Sequence, residues 1–275
     1  MNKKYILTDE TRLVEGRTLH RIKALAGIDA GFLKVKAGEL GGWVQCEENL
    51  SHEGTAWVFD NACVMDSGKI VNSAKVYGTA IVRDKAVVAD TAIVSEHALI
   101  RDTAVVFGHP LVRGNAIVGG TSGVFGNAYV DGHAYIRGDA KVCEDAIVTG
   151  DTTVIAGRAT VCGASYIDGC VITKNIYICG TPLLVGSQIC IFENEHYLVV
   201  GGHARREMCL TFARTNDSRI RLISSNYTGD IEDYELSLVN AEPAEVRRID
   251  NYYKSAIELA KNYITDTIYM KEDGK

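Results

Sequence analysis

Six polar residues with acid, base or anion-binding chemistry recur at spacings of about eighteen near the middle of the chain. They are Glu96, His97, Arg113, Asn115, Asp131 and His133. Histidine exchanges a proton near neutral pH, and a neighbouring carboxylate orients its ring for general base catalysis. Arginine binds carboxylate or phosphate groups through paired hydrogen bonds. If the fold stacks these positions, one edge carries a proton-transfer site or an anion site; the alternative is a set of polar turn residues facing water.

A second series of arginines has the same spacing. It consists of Arg83, Arg101 and Arg137, with Gly119 at the position between the last two. The series predicts a column of guanidinium groups that binds an anionic ligand. Asp84 and Asp102 follow two of these arginines directly, so surface ion pairs are the alternative.

A six-residue repeat must position both series. Between residues 56 and 154 a small residue occupies every sixth position, and Val or Ile follows two residues later. Residues two apart share one face of a strand, and the next positions are rich in Gly, Asn and Asp, which suit tight corners. We therefore predict triangular coils of eighteen residues, with three strands each, that bury a column of Val and Ile from Val58 to Val154. In such coils His97 and His133 share one corner, two coils apart.

The repeat resembles the hexapeptide-repeat, left-handed parallel β-helix superfamily over about residues 50–185. The segments 19–25, 37–44, 48–51 and 56–58 resemble the YdcK-like proteins of bacteria and phages. This resemblance implies a left-handed winding and frequent assembly as a homotrimer. By analogy of fold it also implies an acyltransferase that uses coenzyme A, with a histidine as general base. Such enzymes commonly carry catalytic residues on a loop that interrupts a coil, and the repeat contains no such loop.

The chain is predicted to be mainly β, in three regions. Residues 1–50 lack the repeat and form an N-terminal β cap, residues 51–185 form the β-helix, and residues 186–275 form a small α+β region. The last region contains a hairpin and a helix from Asp230 to Asn240. A second helix opens at Pro243, and we predict that its apolar stripe packs inside the protein. The stripe comprises Val246, Ile249, Tyr253, Ile257, Ala260 and Ile264.

Outward-facing apolar positions predict an interface. Val87, Val105, Phe107 and Phe125 fall on one side of the predicted coils. A strip of exposed apolar side chains usually marks a contact surface. Either the C-terminal region folds back over the strip, or subunits meet there in a homotrimer; the sequence leaves both alternatives open.

The net charge, the apolar pattern and the cysteine content limit which partners and which location the sequence predicts. A net charge of −6 argues against nucleic acid, whose phosphates require a clustered positive surface. The chain shows no apolar leader and no apolar run of membrane-spanning length, so we predict a cytoplasmic location without membrane contact. The eight cysteines form no CxxC pair, which predicts free thiols and no metal site.

Two functions from different classes fit these observations. The first is a non-catalytic, oligomeric scaffold or ligand-binding protein that holds or sequesters a small anionic metabolite or nucleotide at subunit edges, with no assigned cofactor. The second is an acyltransferase that takes an acyl group from a coenzyme A derivative. In that case His97 or His133 deprotonates a hydroxyl or amine acceptor, and Arg113 meets an anionic group. The unbroken repeat favours the first function.

Overall fold

A parallel β-solenoid forms the centre of the protein. The computed structural model describes residues 3–30, 33–186, 189–191, 197–200, 210–215, 219–224, 227–239 and 255–264. Short strands lie on three faces, and most pair in register with the strand eighteen residues further along, as Ile81 does with Leu99 and Leu99 with Ile117. One winding of three strands and three corners is called a coil below. The predicted mainly β fold with eighteen-residue coils is confirmed.

Each face is one sheet. The first face consists of Tyr5–Val14, Arg17–Ala24, Leu40–Val44, Cys63–Val64, Ile81–Val82, Leu99–Ile100, Ile117–Val118, Tyr135–Ile136, Val154–Ile155, Val171–Ile172 and Cys190–Ile191. The second face consists of Lys69–Ile70, Val87–Val88, Val105–Gly108, Gly123–Gly126, Lys141–Val142, Thr160–Val161 and Tyr177–Ile178. The third face consists of Trp57–Val58, Lys75–Val76, Ile93–Val94, Leu111–Val112, Tyr129–Val130, Ile147–Thr149, Tyr166–Asp168 and Leu183–Val185.

The interior is the column that the repeat predicts. From Ala62 and Val64 to Ala146 and Val148, the small residues and the Val or Ile residues of every unit are buried. Each coil contributes three inward branched side chains, and the next coil stacks directly on them about 4.8 Å further along the axis. Because these side chains fill the interior, outward side chains carry every interaction with other molecules.

The corners have the left-handed backbone that the Gly, Asn and Asp residues predict. At one corner Asp84 and Asp102 both have φ of 59°, and Gly120 has φ of 70°. The carboxylates also serve the following coil, which the sequence did not predict: the Asp102 N–H donates to Asp84 (3.0 Å), and the Gly120 N–H donates to Asp102 (2.7 Å). At the next position, threonines such as Thr103 donate to a carbonyl of the following coil. Corner side chains thus link successive coils.

The repeat breaks one unit earlier than the sequence pattern indicates. Ile155 is fully buried, whereas Val154 is only half-buried, so the prediction that Val154 lines the core is wrong. Thr153 takes the small, buried position, and the Ile136 strand pairs with Ile155, nineteen residues on. The Thr153 hydroxyl accepts the Gly169 N–H at 2.6 Å and donates to the Thr149 carbonyl, which anchors the extra residue.

A shortened unit compensates for this insertion. Ile167 and Ile172 are successive inward residues separated by five positions, one fewer than the repeat requires. Pairing therefore joins Val142 to Val161 across nineteen residues, and Val161 to Ile178 across seventeen. The last coils are consequently uneven in length although their strands stay in register.

The N-terminal residues continue the first face. Tyr5–Val14 and Arg17–Ala24 form an antiparallel hairpin, and Leu40–Val44 joins it to the solenoid by pairing with Cys63–Val64. A short antiparallel pair, Ile28–Ala30 with Leu33–Val35, and a 3-10 helix, Glu47–Asn49, complete this region.

Two amide side chains of this cap act on the first corner. Gln45 accepts the Asp66 N–H at 2.8 Å, and buried Asn49 donates to the carbonyls of Asp66 and Gly68 at 3.1 and 2.9 Å. In later coils, residues of the preceding corner hydrogen-bond the corresponding backbone groups, as Asp84 does for the Asp102 N–H.

The C-terminal residues form a separate antiparallel sheet and helices. The strands are Tyr197–Val200, Leu210–Arg214, Ile220–Ile223 and Thr228–Asp230, followed by the helix Ile231–Val239 and helical residues 255–264. The predicted hairpin and first helix are confirmed. Ile257, Ala260 and Ile264 pack with Phe212 and Leu222, as predicted for the stripe. Pro243, Val246, Ile249 and Tyr253 lie outside the described residues.

Candidate functional site

The structure brings the six predicted polar residues to one edge, where the third face turns into the first. His97, Asn115 and His133 occupy the same corner position in three successive coils, since the His97 N–H donates to Gly114 and the Asn115 N–H to Gly132. Glu96 precedes His97, whereas Arg113 and Asp131 directly follow third-face strands beside this corner. The edge is exposed, and no loop interrupts its coils between residues 93 and 148.

Arg113 is enclosed by the acidic residues of its own edge. Its Nε atom lies 3.1 Å from the Asp131 carboxylate and 3.4 Å from that of Glu96, and the guanidinium lies 6.0 Å from the Tyr129 ring. The Tyr129 hydroxyl donates to Asp131 at 2.6 Å. Two carboxylates therefore surround one guanidinium, and the group carries a net negative charge.

The pKa shifts of this group follow from those contacts. Burial opposes ionisation of Asp131, but hydrogen bonds from Tyr129 and the Gly132 N–H outweigh it and lower the pKa of Asp131. The charge of Asp131 raises the pKa of Arg113. Both groups are ionised at neutral pH. The Glu96 carboxylate is also hydrogen-bonded to the backbone, because it accepts the Gly114 N–H at 3.1 Å. An incoming anion must displace an existing carboxylate.

The histidines at this corner each bond through Nδ1. The His133 Nδ1 lies 2.8 Å from a carboxylate oxygen of Asp151, which is 84% exposed. The Thr79 hydroxyl oxygen lies 2.5 Å from the Nδ1 atom of His97 and 3.0 Å from the Glu96 carbonyl oxygen. The sequence analysis missed Asp151, although its distance of eighteen residues from His133 was a usable signal.

The arginine column follows first-face strands at a different edge, and its members are already engaged. Arg83 lies 3.7 Å from Asp84, and Arg101 lies 3.8 Å from Asp102, as the ion-pair alternative predicts. Arg101 also donates to the Tyr135 hydroxyl at 2.8 Å.

Tyr135 links the two later arginines. The guanidinium groups of Arg101 and Arg137 lie 5.9 and 5.4 Å from its ring centroid. Gly119 permits this arrangement, because a Cβ atom there would come within 3.2 Å of the Arg101 side chain. Both later arginines of the column therefore contact the same tyrosine.

The predicted apolar strip lies on the second face. The rings of Phe107 and Phe125 stack at 5.2 Å with an interplanar angle of 14°, and Phe107 remains 42% exposed. Val87 and Val105 precede this pair on paired strands of the same face. Phe107 is therefore open to solvent in the monomer, and the described residues of the C-terminal region do not cover it.

The C-terminal sheet instead contacts the last coils. The Leu183 N–H donates to Thr211 at 3.0 Å, and the Tyr197 hydroxyl donates to the Tyr177 carbonyl at 2.9 Å.

A cysteine cluster near this end was not predicted as a site. Cys143, Cys162 and Cys179 follow second-face strands in three successive coils, and Glu144 lies beside them. Burial raises the pKa of the Cys162 thiol to about 12, with a further contribution from Cys179.

No family model matches the chain, and no curated protein matches its sequence. Within the part of the chain that the structure describes, no helix has both the length and the apolar character needed to span a bilayer.

Proposed function

We propose that this protein is a non-catalytic β-solenoid scaffold that assembles with copies of itself, as a homotrimer, through the strip of Val87, Val105, Phe107 and Phe125. The stacked Phe107–Phe125 pair, in which Phe107 is exposed and Phe125 is half-buried, carries the proposal. Burying one such side chain contributes about 1.5–3 kcal/mol relative to leaving it in water. A second copy presents the same strip, so self-association covers several large apolar groups at once.

The polar edges support a scaffold more than a catalyst. Arg113 is held between Glu96 and Asp131, and Arg101 is bound to Tyr135. These arginines already contact carboxylate or hydroxyl groups of their own edges, so neither guanidinium stands ready for an incoming ligand. A small anion at the Arg113 edge meets a net negative group, which argues against the anion-sequestering form of the hypothesis at that edge.

Two finer statements belong to the same proposal. We place the solenoid with the hexapeptide-repeat, left-handed β-helices, because its coils are built from six-residue units with a small residue and a Val or Ile at fixed positions. We also place it in the cytoplasm. The six described cysteines that are free thiols, namely Cys46, Cys63, Cys143, Cys162, Cys170 and Cys179, suit a reducing compartment.

The test is the mass of the intact assembly, measured by native mass spectrometry and light scattering. We expect a trimer for the wild type and a monomer for Phe107→Glu, which places a charge on the exposed strip. Leu13→Glu is the matched control, since Leu13 is 73% exposed on the N-terminal hairpin and its variant should remain a trimer. A monomeric wild type at micromolar concentration, or a trimeric Phe107→Glu variant, would contradict the proposal.

A second candidate function, acyl transfer, is favoured by the contact between His133 and Asp151. A carboxylate on Nδ1 orients the ring, which leaves Nε2 as a general base. In this scheme Nε2 takes the proton of an acceptor hydroxyl, whose oxygen bonds to the thioester carbonyl carbon. The carbon–sulfur bond then breaks, and coenzyme A leaves as a thiol after receiving that proton.

Release of the coenzyme A thiol from acetyl-coenzyme A tests this candidate, with a panel of hydroxyl and amine acceptors. Transfer is expected to fall at least 100-fold in His133→Ala. His109→Ala is the control, because His109 occupies another corner and bonds Thr91 through the same ring nitrogen. Transfer that persists in both His97→Ala and His133→Ala would exclude these residues as the base, and no transfer by the wild type would leave the scaffold proposal alone.

A further inference from the structure

Three potential metal ligands from three consecutive coils converge near the C-terminal end of the second face. A carboxylate oxygen of Glu144 and the Sγ atoms of Cys162 and Cys179 all lie within 4.8 Å of one another. The register explains the convergence: Val161 pairs with Ile178, so Cys162 lies beside Cys179 on the adjacent coil.

The cluster combines a fixed ligand set with access from solvent. The Gly163 N–H donates to Oε2 of Glu144 at 2.8 Å, which orients the carboxylate. Cys162 is buried, with 1% of its surface exposed, whereas Cys179 and Glu144 are exposed. Parallel pairing holds the backbones of all three residues, so the ligands do not depend on a flexible loop. Such positioning by neighbouring hydrogen bonds is typical of metal sites.

We propose that Glu144, Cys162 and Cys179 bind one thiophilic divalent cation of the Zn²⁺ class, with water in the fourth position. Zn²⁺ accepts cysteine sulfur and glutamate oxygen in tetrahedral geometry, in which bond lengths of about 2–2.3 Å place ligand atoms roughly 3.5–4 Å apart. Contraction of the present cluster by about an ångström satisfies that geometry. Mg²⁺ and Ca²⁺ prefer sets of oxygen ligands and are not suited to two sulfurs.

Binding replaces existing contacts in a balanced way. Each cysteine loses its thiol proton to solvent and bonds the metal as a thiolate, so two protons leave for one cation bound. The Cys162 thiol gives up its contact with the Ile178 carbonyl, 3.4 Å away. The hydrogen bond from Gly163 to Glu144 is retained, because the other carboxylate oxygen remains for the metal.

The site would tie together the uneven coils. Glu144, Cys162 and Cys179 belong to successive coils in the region where coils of nineteen and seventeen residues replace those of eighteen. A cation that bridges them stabilises this end of the solenoid in proportion to its affinity. Common zinc motifs take neighbouring ligands from one loop, whereas stacking supplies these from separate coils, which is why the cysteine spacing gave no warning.

Cobalt(II) is the probe, because thiolate ligation gives a charge-transfer absorption band in the near ultraviolet. We expect chelator-treated, fully reduced protein to bind one Co²⁺ per chain with this band, and Zn²⁺ but not Mg²⁺ to displace it. Cys179→Ser should abolish the band, while Cys46→Ser, a thiol at the N-terminal end, should retain it. Absence of the band from the reduced wild type, or its persistence in Cys179→Ser, would overturn the proposal.

Two further variants separate this proposal from others. Glu144→Gln keeps an oxygen for the Gly163 N–H but loses the charged ligand, so we expect at least tenfold weaker Co²⁺ binding with an unchanged unfolding midpoint in chelator. Equal affinity would remove Glu144 from the site and overturn the ligand set. Phe107→Glu should bind Co²⁺ as the wild type does, so failure of the trimer proposal leaves this one standing.

Discussion

The carboxylate at a corner is expected to stabilise the coil that follows it, and Gly120 provides the test. Gly120 has φ of +70°, and a Cβ atom there would lie 2.7 Å from the Gly138 carbonyl oxygen. Gly120→Ala adds the left-handed cost of about 1–2 kcal/mol and this close contact, with no compensating bond. Gly120→Asp instead repeats the arrangement of Asp84 and Asp102, whose carboxylates accept the next N–H at 3.0 and 2.7 Å.

The magnitude follows from one hydrogen bond. A bond between an exposed carboxylate and a backbone N–H contributes about 1 kcal/mol net, so Gly120→Asp should exceed Gly120→Ala in stability by roughly that amount. Aspartate also tolerates left-handed backbone better than alanine does, and this contribution must be subtracted. Gly38 provides the subtraction, since it has φ of +85° and its Cβ would meet nothing within 4 Å.

Urea unfolding followed by circular dichroism supplies the four free energies, for Asp and Ala at positions 120 and 38. The Asp–Ala difference at 120 should exceed that at 38 by about 1 kcal/mol. Equal differences at the two positions would refute the reasoning, because the corner carboxylate would then contribute only its intrinsic backbone preference.

Three further outcomes are expected. Burial lowers the pKa of Lys4 to about 8, so between pH 8 and 10.5 the unfolded chain binds more protons than the folded chain does. Raising the pH through this range therefore stabilises the wild type and raises its urea midpoint. The Lys4→Met variant should lack this rise. Asn49→Ala should cost about 2–4 kcal/mol, measured the same way, and a loss under 1 would contradict its linking role. Ile155→Ala should cost about 2–5 kcal/mol and Val154→Ala far less; the reverse order would restore Val154 to the core.

Most of the solenoid was predictable from the repeat, because each six-residue unit must bury one small residue and one Val or Ile. The prediction failed at one unit, for a specific reason. Thr152 and Thr153 are both small enough for the inner position, and Val154 and Ile155 are both branched, so two registers satisfy the same pattern. Only the three-dimensional contact of Thr153 with Gly169 distinguishes them.

The candidate site was predictable in position but not in pairing. Spacings of seventeen and eighteen residues placed Glu96, Arg113 and Asp131 on adjacent coils, and the structure shows contacts of Arg113 with both carboxylates. Tyr129 was not predicted, because an aromatic residue at an outward strand position does not by itself indicate a hydrogen bond to Asp131. The cysteine cluster was not predicted as a metal site, because the cysteines form no CxxC pair and the sequence does not show that the Glu144 carboxylate comes close to Cys162 and Cys179.

The corner hydrogen bonds give the solenoid a direction of growth. The side chains of Asp84 and Thr103 each hydrogen-bond the backbone of the coil after their own. Gln45 and Asn49 do the same for the first corner. The N-terminal cap is thus a template, and each finished coil is the template for its successor. A chain emerging from the ribosome can therefore add coils in the order of synthesis, each onto a surface already prepared. Removing coils from the C-terminal side keeps the corner hydrogen bonds of the remaining coils. Removing the cap instead leaves the backbone groups of the first corner without the hydrogen bonds of Gln45 and Asn49.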